Sequence, residues 1–263
     1  MNVLSWEEFT GGYAPPTPLA AAVGVFDGLH AGHRALIGRV LGRHGLLKGV
    51  VTFRDNPKKV LRPATFHGQL STLAQRLEEL ASLGVELCVL IDFSGDFSKL
   101  AGRKFLSLLR ENGDLRYLAV GADFRCGHRL DTGAEEIRGF YAAFGVEAEI
   151  LQPLLWAGHP VSSSRIRKSI AEGRLEDATA MLGRAYEIDL RSATRAGESA
   201  LPFSPAPEDG QVLPPQGAYR VLAESAGAYV EARAVLSAGT WSLELPGGIG
   251  AAAVRRMRLV SRE

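Results

Sequence analysis

The stretch GVFDGLHAGH, Gly24 to His33, decides how this chain is read. The apolar run Leu19 to Val23 leads into it. Leu36, Ile37, Val40 and Leu41 follow at helical spacing, so the segment reads as a strand, a glycine-rich turn and a helix start. The first turn of a helix presents unpaired N–H groups and the positive end of the macrodipole, and glycines let a phosphate approach the backbone there. His30 and His33 are three apart with Gly32 between them, so one turn can bring both imidazoles to a single phosphate. There they can donate hydrogen bonds to oxygens that gain charge as a phosphoanhydride breaks. A His-x-x-His pair is also half of a metal site, but the metalloprotease pattern needs a Glu after the first His and the residue here is Ala31. No metal ligand is assigned.

The chain of 263 residues has room for one large domain or for a medium and a small one, and 46% apolar residues suffice for a core. A net charge of +1 argues against a polyanion as main partner, so nucleic acid is not expected and any basic site is local. Cys88 and Cys126 fit neither a disulfide framework nor a zinc spacing and read as free thiols of a reducing compartment. The N-terminal MNVLSWEEFTGGY has no basic stretch followed by an apolar one, and no window approaches a charge-free membrane span. The expectation is a cytoplasmic protein with no membrane partner.

From Leu19 to Gly183 strand and helix patterns alternate. Strands are expected at Leu19 to Val25, Lys48 to Phe53, Val85 to Asp92, Arg116 to Val120 and Val146 to Leu151. Thr72 and Gln75 form a capping box before Leu73, Leu77, Leu80 and Leu83, with Gly84 as the stop; further helices are expected around Phe105 to Leu109 and over Glu135 to Phe144. Such alternation predicts an α/β fold, a Rossmann-like parallel sheet whose ligands bind at the carboxyl ends of the strands. The loops after Val25, Phe53 and Val120 then share one rim.

Two further segments carry chemistry. GADFRCGHRLDTG, Gly121 to Gly133, follows the fourth strand with more charge than a connection requires. Read on composition alone it is a solvated loop. VSSSRIRKSI, Val161 to Ile170, sets three serines before a helical run, where one hydroxyl suffices for a cap. With Arg165, Arg167 and Lys168 behind them, they make an anion site of dipole and side-chain charge.

These motifs carry a resemblance. Gly24 to His33 resembles the His-x-Gly-His signature of the nucleotidyltransferase superfamily in the Gly-x-Phe-Asp-Gly form of the bacterial FAD synthetase (FMN adenylyltransferase) family. GADFRCG is similar to that family's Gly-x-Asp-Phe-x-x-Gly loop, and VSSSRIR to its Ile-Ser-Ser-Thr-x-Ile-Arg segment, with Ser164 in the Thr position. Leu182 to Tyr186 matches Leu-Gly-Arg-Pro-Tyr except at Ala185. Departures are Cys126, where a larger apolar residue is usual, and Thr52-Phe53-Arg54-Asp55-Asn56-Pro57, which lacks the middle proline of Thr-Phe-x-Pro-x-Pro. The resemblance implies transfer of AMP from ATP to FMN, giving FAD and pyrophosphate with Mg2+. It implies that His30 and His33 stabilise developing charge, and that Ser163, Ser164 and Arg167 hold the β and γ phosphates. Gly24, Phe26, Asp27, Gly28, Gly32, Gly121, Asp123, Phe124 and Ser162 complete the implied nucleotide and flavin contacts. A nucleotidyltransferase with another phosphorylated acceptor, or a non-catalytic nucleotide- or flavin-binding regulator, stays open.

Beyond this region, composition shifts. Five prolines between Arg191 and Gly217 mark a linker, and Ala218 to Ala223, Tyr229 to Leu236, Trp241 to Leu245 and Met257 to Val260 read as short strands. The expected division is an adenylyltransferase domain over 1–187, a linker over 188–216 and a small β-rich, barrel-like domain over 217–263. Bifunctional relatives carry a riboflavin kinase there with a Gly-Phe-Pro-Thr-x-Asn signature. That signature is absent, and no asparagine follows Asn112. The resemblance therefore implies a β domain that stabilises or docks, without kinase activity.

Overall fold

A computed structural model describes residues 1–93, 95–195, 203–204, 210–247, 249 and 253–263. The first part of the chain runs β1 (Asn2–Ser5), α1 (Trp6–Thr10), β2 (Leu19–Val23), α2 (Ala31–Leu41), β3 (Leu47–Phe53), α3 (Pro57–Leu61), α4 (Leu73–Ser82), β4 (Leu87–Ile91) and α5 (Gly102–Gly113). It continues through β5 (Leu115–Gly121), the two-residue strands β6 (Arg125–Cys126) and β7 (Thr132–Gly133), α6 (Ala134–Ala142) and β8 (Glu147–Leu151). Six strands form one parallel sheet in the order β1-β4-β3-β2-β5-β8. Every residue of β2 and of β4 is buried, as befits strands covered on both faces. The alternation read from the sequence is thus the observed architecture, and the loops after β2, β3 and β5 leave neighbouring strands at their carboxyl ends.

Strand β1 was not expected. Only four residues long, it pairs with β4 in parallel, and α1 begins directly after it with a capping box between Ser5 and Glu8. Trp6 then stacks on Phe105 with ring centroids 5.2 Å apart, anchoring this edge to α5. The capping box read at Thr72 is present: the Gln75 N–H donates to Thr72 Oγ1 at 3.2 Å and the Thr72 N–H to Gln75 Oε1 at 3.0 Å.

The chain divides into two compact units, residues 1–66 with 77–155, and residues 67–76 with 156–263. The boundary falls within β9 (Leu155–Trp156), which pairs with β10 (His159–Pro160); the second unit goes on through α7 (Ser163–Ala171), α8 (Leu175–Leu182) and β11 (Tyr186–Asp189). The short strands β12 (Thr194–Arg195) and β13 (Phe203–Ser204) precede β14 (Gly217–Ser225), β15 (Ala228–Ser237), β16 (Thr240–Glu244) and β17 (Val254–Arg262). These form an antiparallel sheet in the order β11-β17-β14-β15-β16-β13-β12. The β-rich region expected after residue 217 is there, and it recruits Tyr186–Asp189 as an edge strand. Ile166, Ile170, Ala178, Met181 and Leu182 of the two helices share one core with Tyr186, Ile188, Tyr219, Val221 and Trp241 of the sheet. Much of the expected proline-rich linker (196–202 and 205–209) lies outside the described residues, but at its end Gln211 and Val212 are buried.

Candidate active site

The turn after β2 is held by the neighbouring strand. The Gly24 N–H donates to Val51 O, and the Thr52 hydroxyl donates to Val25 O at 3.0 Å, tying the turn to β3. Phe26 sits in the left-handed region at φ +51°, and Asp27 to Leu29 make one 3-10 turn with Gly28 at φ +77°. Phe26, Asp27, Gly28 and Leu29 are all buried. Extended backbone at His30 then lets it cap α2, its Nδ1 accepting the His33 N–H at 3.3 Å. With Nδ1 accepting, the neutral ring carries its proton on Nε2 as a donor. The two imidazoles stack with centroids 3.5 Å apart and planes 17° from parallel, and Phe26 meets His33 edge-on at 5.2 Å. Gly32 keeps that stack clear: a Cβ there would lie 3.3 Å from the His30 ring.

The Gly121 to Gly133 segment is a built hairpin. The Phe124 N–H donates to Gly121 O, Phe124 packs on the core of the parallel sheet, and exposed Asp123 folds over Gly121. Several of its charges serve the loop itself. Asp131 Oδ1 accepts from the Gly102 N–H at 3.1 Å and from the Thr132 hydroxyl at 2.7 Å, and Arg125 Nε donates to Leu130 O at 3.0 Å. His128 Nδ1 donates to Ser98 O. Gly127, at φ +84°, is required: a Cβ would fall 2.2 Å from Asp131 Oδ1 and 2.3 Å from the Gly102 nitrogen. Burial chiefly, and Asp131 next, push the Cys126 thiol up to about 12. The first two motifs thus leave adjacent strands of one sheet, β2 and β5, at the same rim.

On that rim the altered loop after β3 has its own solution. Asn56 caps α3 by accepting the Lys58 N–H, with Pro57 in the first turn, and Asp55 pairs with Lys59 at 3.3 Å.

The serine segment belongs to the second unit. Ser162 caps α7 by accepting the Arg165 N–H, which leaves half-buried Ser163 and exposed Ser164 in the first turn. Arg165, counted from the sequence among the charges of the anion site, clasps the preceding hairpin: one guanidinium nitrogen donates to the carbonyls of Trp156 at 2.9 Å and His159 at 3.0 Å. Arg167 is buried, its Nε donating to Gly68 O at 2.7 Å. Nothing in the sequence near Arg167 points to Gly68. Among the described residues no group of three or more His, Cys, Asp or Glu is placed to hold a metal, and no helix is long and apolar enough to cross a membrane.

The family model described as FAD synthetase matches residues 14–165, a range that takes in the first two motifs and the start of the third. The bifunctional riboflavin kinase/FMN adenylyltransferase of Listeria monocytogenes is 31% identical over 169 residues, covering 63% of this chain and 54% of that protein. The Escherichia coli protein of the same description is 28% identical over 216 residues, covering 79% and 69%. The match thus spans little more than half the length of the Listeria relative. Among solved structures, a macrolide-efflux protein from Streptococcus pneumoniae is similar in fold, with a TM-score of 0.84 at 21% identity over 100% of this chain and 91% of that one.

Proposed function

The chain belongs to the FAD synthetase family, and from that premise we propose that it is an FMN adenylyltransferase, transferring AMP from ATP to FMN. An oxygen of the FMN phosphate forms a bond to the α-phosphorus of ATP while the bond to the α–β bridging oxygen breaks. FAD forms and pyrophosphate leaves with the electron pair. The protein's work is positioning and charge stabilisation, since the step needs no covalent enzyme intermediate.

The observation that carries the proposal is the imidazole stack at the start of α2. The capping bond fixes His30, and the stack fixes His33 against it, so two nitrogen donors and the helix N-terminus serve one small volume. Gly24, Phe26, Asp27, Gly28 and Gly32 shape that turn, and Gly121, Asp123 and Phe124 supply nucleotide and flavin contacts from the neighbouring loop. Ser163, Ser164 and Arg167 take the β and γ phosphates, and Ser162, which caps their helix, completes the nucleotide contacts. Magnesium enters with ATP as substrate, its ligands largely phosphate oxygens. We place these signatures in residues 1–187 and assign no reacting residue to 217–263. Glu244, a carboxylate on strand β16, is exposed and paired with Arg233 at 3.1 Å, as a solvent-facing strand residue is.

The test is FAD formation followed by chromatography with ATP and magnesium, using FMN and riboflavin in parallel. FAD from FMN alone is expected. FAD from riboflavin as well would assign the sheet a kinase. Pyrophosphate release with a non-flavin phosphate would change the acceptor, and bound flavin without pyrophosphate release would make the chain a binding protein.

A further inference from the structure

Arg167 is aimed from a distance in sequence. Its Nε donates to the carbonyl of Gly68, 99 residues earlier, and fixing Nε fixes the plane of the guanidinium. That carbonyl is itself clamped. Gly68 adopts φ +94°, and a Cβ there would lie 2.4 Å from Gly210 O and 3.1 Å from the Val212 nitrogen. Next to it Gln69 and Gln211 pair as a parallel bridge, the Gln69 N–H donating to Gly210 O at 2.9 Å and the Val212 N–H to Gln69 O at 3.0 Å.

The Gln211 side chain closes the clamp. Its Oε1 accepts the Asp189 N–H at 2.7 Å, and its Nε2 donates to Leu70 O at 3.3 Å, Gln75 Oε1 at 3.2 Å and Glu187 O at 3.0 Å. Asp189 accepts the Thr72 hydroxyl at 2.7 Å and is gripped by the Arg191 guanidinium at 2.5 and 2.8 Å. Gln211, Asp189, Thr72 and Gln75 are all buried, and a satisfied buried polar network of this kind is rigid. It joins residues 70–75, strand β11 and the chain entering β14, and the backbone bridge of Gln69 with Gln211 sets it directly beside the Gly68 carbonyl that meets Arg167.

We propose that Gln211 is a positioning residue for ATP: through Gly68 it holds the Arg167 guanidinium in the plane in which it meets the nucleotide phosphates. This rests on the assignment of Arg167 to those phosphates. It gives the antiparallel sheet a part in nucleotide binding by placement, with no contact of its own.

The experiment is calorimetric titration of the full chain with magnesium and α,β-methylene-ATP, an analogue that binds without reacting, on the wild type, Gln211→Met, Arg167→Ala and the double variant. Gln211→Met is expected to weaken binding about tenfold, the equivalent of one hydrogen bond to an ionised group, with Arg167→Ala weakening it further. The double variant should bind no more weakly than Arg167→Ala, because Gln211 acts only through that arginine. Additive losses would make the network merely structural and overturn the proposal, as would unchanged binding by Gln211→Met. Thr72→Val, which removes one bond to Asp189, enters the same cycle should Gln211→Met not fold. Failure of the two readings is distinguishable. A wild type that binds the analogue but makes no FAD from FMN loses the proposed activity while the cycle still decides the clamp. A wild type that makes FAD but whose Arg167→Ala variant binds normally keeps the activity and loses the clamp, and a wild type that does not bind the analogue loses the clamp, and the activity with it when no FAD forms.

Discussion

Replacing His30 by asparagine separates two roles held by one imidazole. Nδ1 accepts the His33 N–H and caps α2, and the proposed function gives the same ring a second role, as donor to the reacting phosphate through Nε2. Asparagine is among the best capping residues, so His30→Asn keeps the first role and removes the second. His30→Ala removes both. The lost cap costs about 1 kcal/mol of stability. Losing one donor to a charge that develops in the transition state lowers kcat by about 10²–10³. Both variants should therefore lose turnover to a similar degree with KM for ATP little changed, while only His30→Ala unfolds at lower denaturant. The assays are FAD formation by chromatography and guanidinium unfolding by circular dichroism. Wild-type kcat in a folded His30→Asn variant would refute the donor role. A loss confined to KM would move His30 from transition-state stabilisation to ground-state binding.

Three further outcomes follow from the packing. Partial burial, with Asp131 adding to it, raises the Cys126 thiol to about 12, and Cys88 is fully buried, so iodoacetamide at about pH 8 should label the native chain far more slowly than the urea-unfolded one; equal rates would refute both the raised Cys126 thiol and the burial of Cys88. Burial alone would raise the Asp189 carboxyl, but the bonds from Arg191 and Thr72 outweigh it and hold the group below the usual carboxylate range. Its stabilisation is therefore present above the unfolded pKa and lost as pH falls through the folded one. Asp189→Asn should flatten the decline of urea-unfolding free energy between about pH 5 and pH 2, and an unchanged slope would count against it. Gly127→Ala drives a Cβ into Asp131 and the Gly102 nitrogen and should cost about 2–4 kcal/mol in the same unfolding assay, whereas a loss under about 0.5 kcal/mol would mean that the hairpin relaxes freely.

What could be read in advance was whatever the chain encodes locally. The parallel sheet was legible because β2 and β4 are apolar at every position and the intervening helices carry their own caps, as Thr72 and Gln75 do. The His30 and His33 pair was legible because spacing along one helical turn is itself a distance. Strand β1 was not. Four residues with exposed Asn2 and Val3 carry no periodicity, and they are a strand only because the β4 edge is there to be paired. Asp131 was visible as part of a charged loop, yet its work for the α5 N-terminus depends on a turn through Gly127 that composition does not encode.

The surroundings of Arg167 are not local in this sense. Ser162 to Arg167 can be recognised because a helix N-terminus writes its capping and charge into consecutive residues. The carbonyl that orients Arg167 comes from Gly68, and the side chain that secures it comes from Gln211, so three separate stretches must meet before the interaction exists. The proline-rich stretch before Gln211 suggests a linker, and in composition it is one. Linkers carry no buried amide with four hydrogen bonds, and Gln211 does. A buried glutamine at the end of a proline-rich stretch is therefore more informative than the stretch itself, because burying an amide is unfavourable unless its partners are already in place.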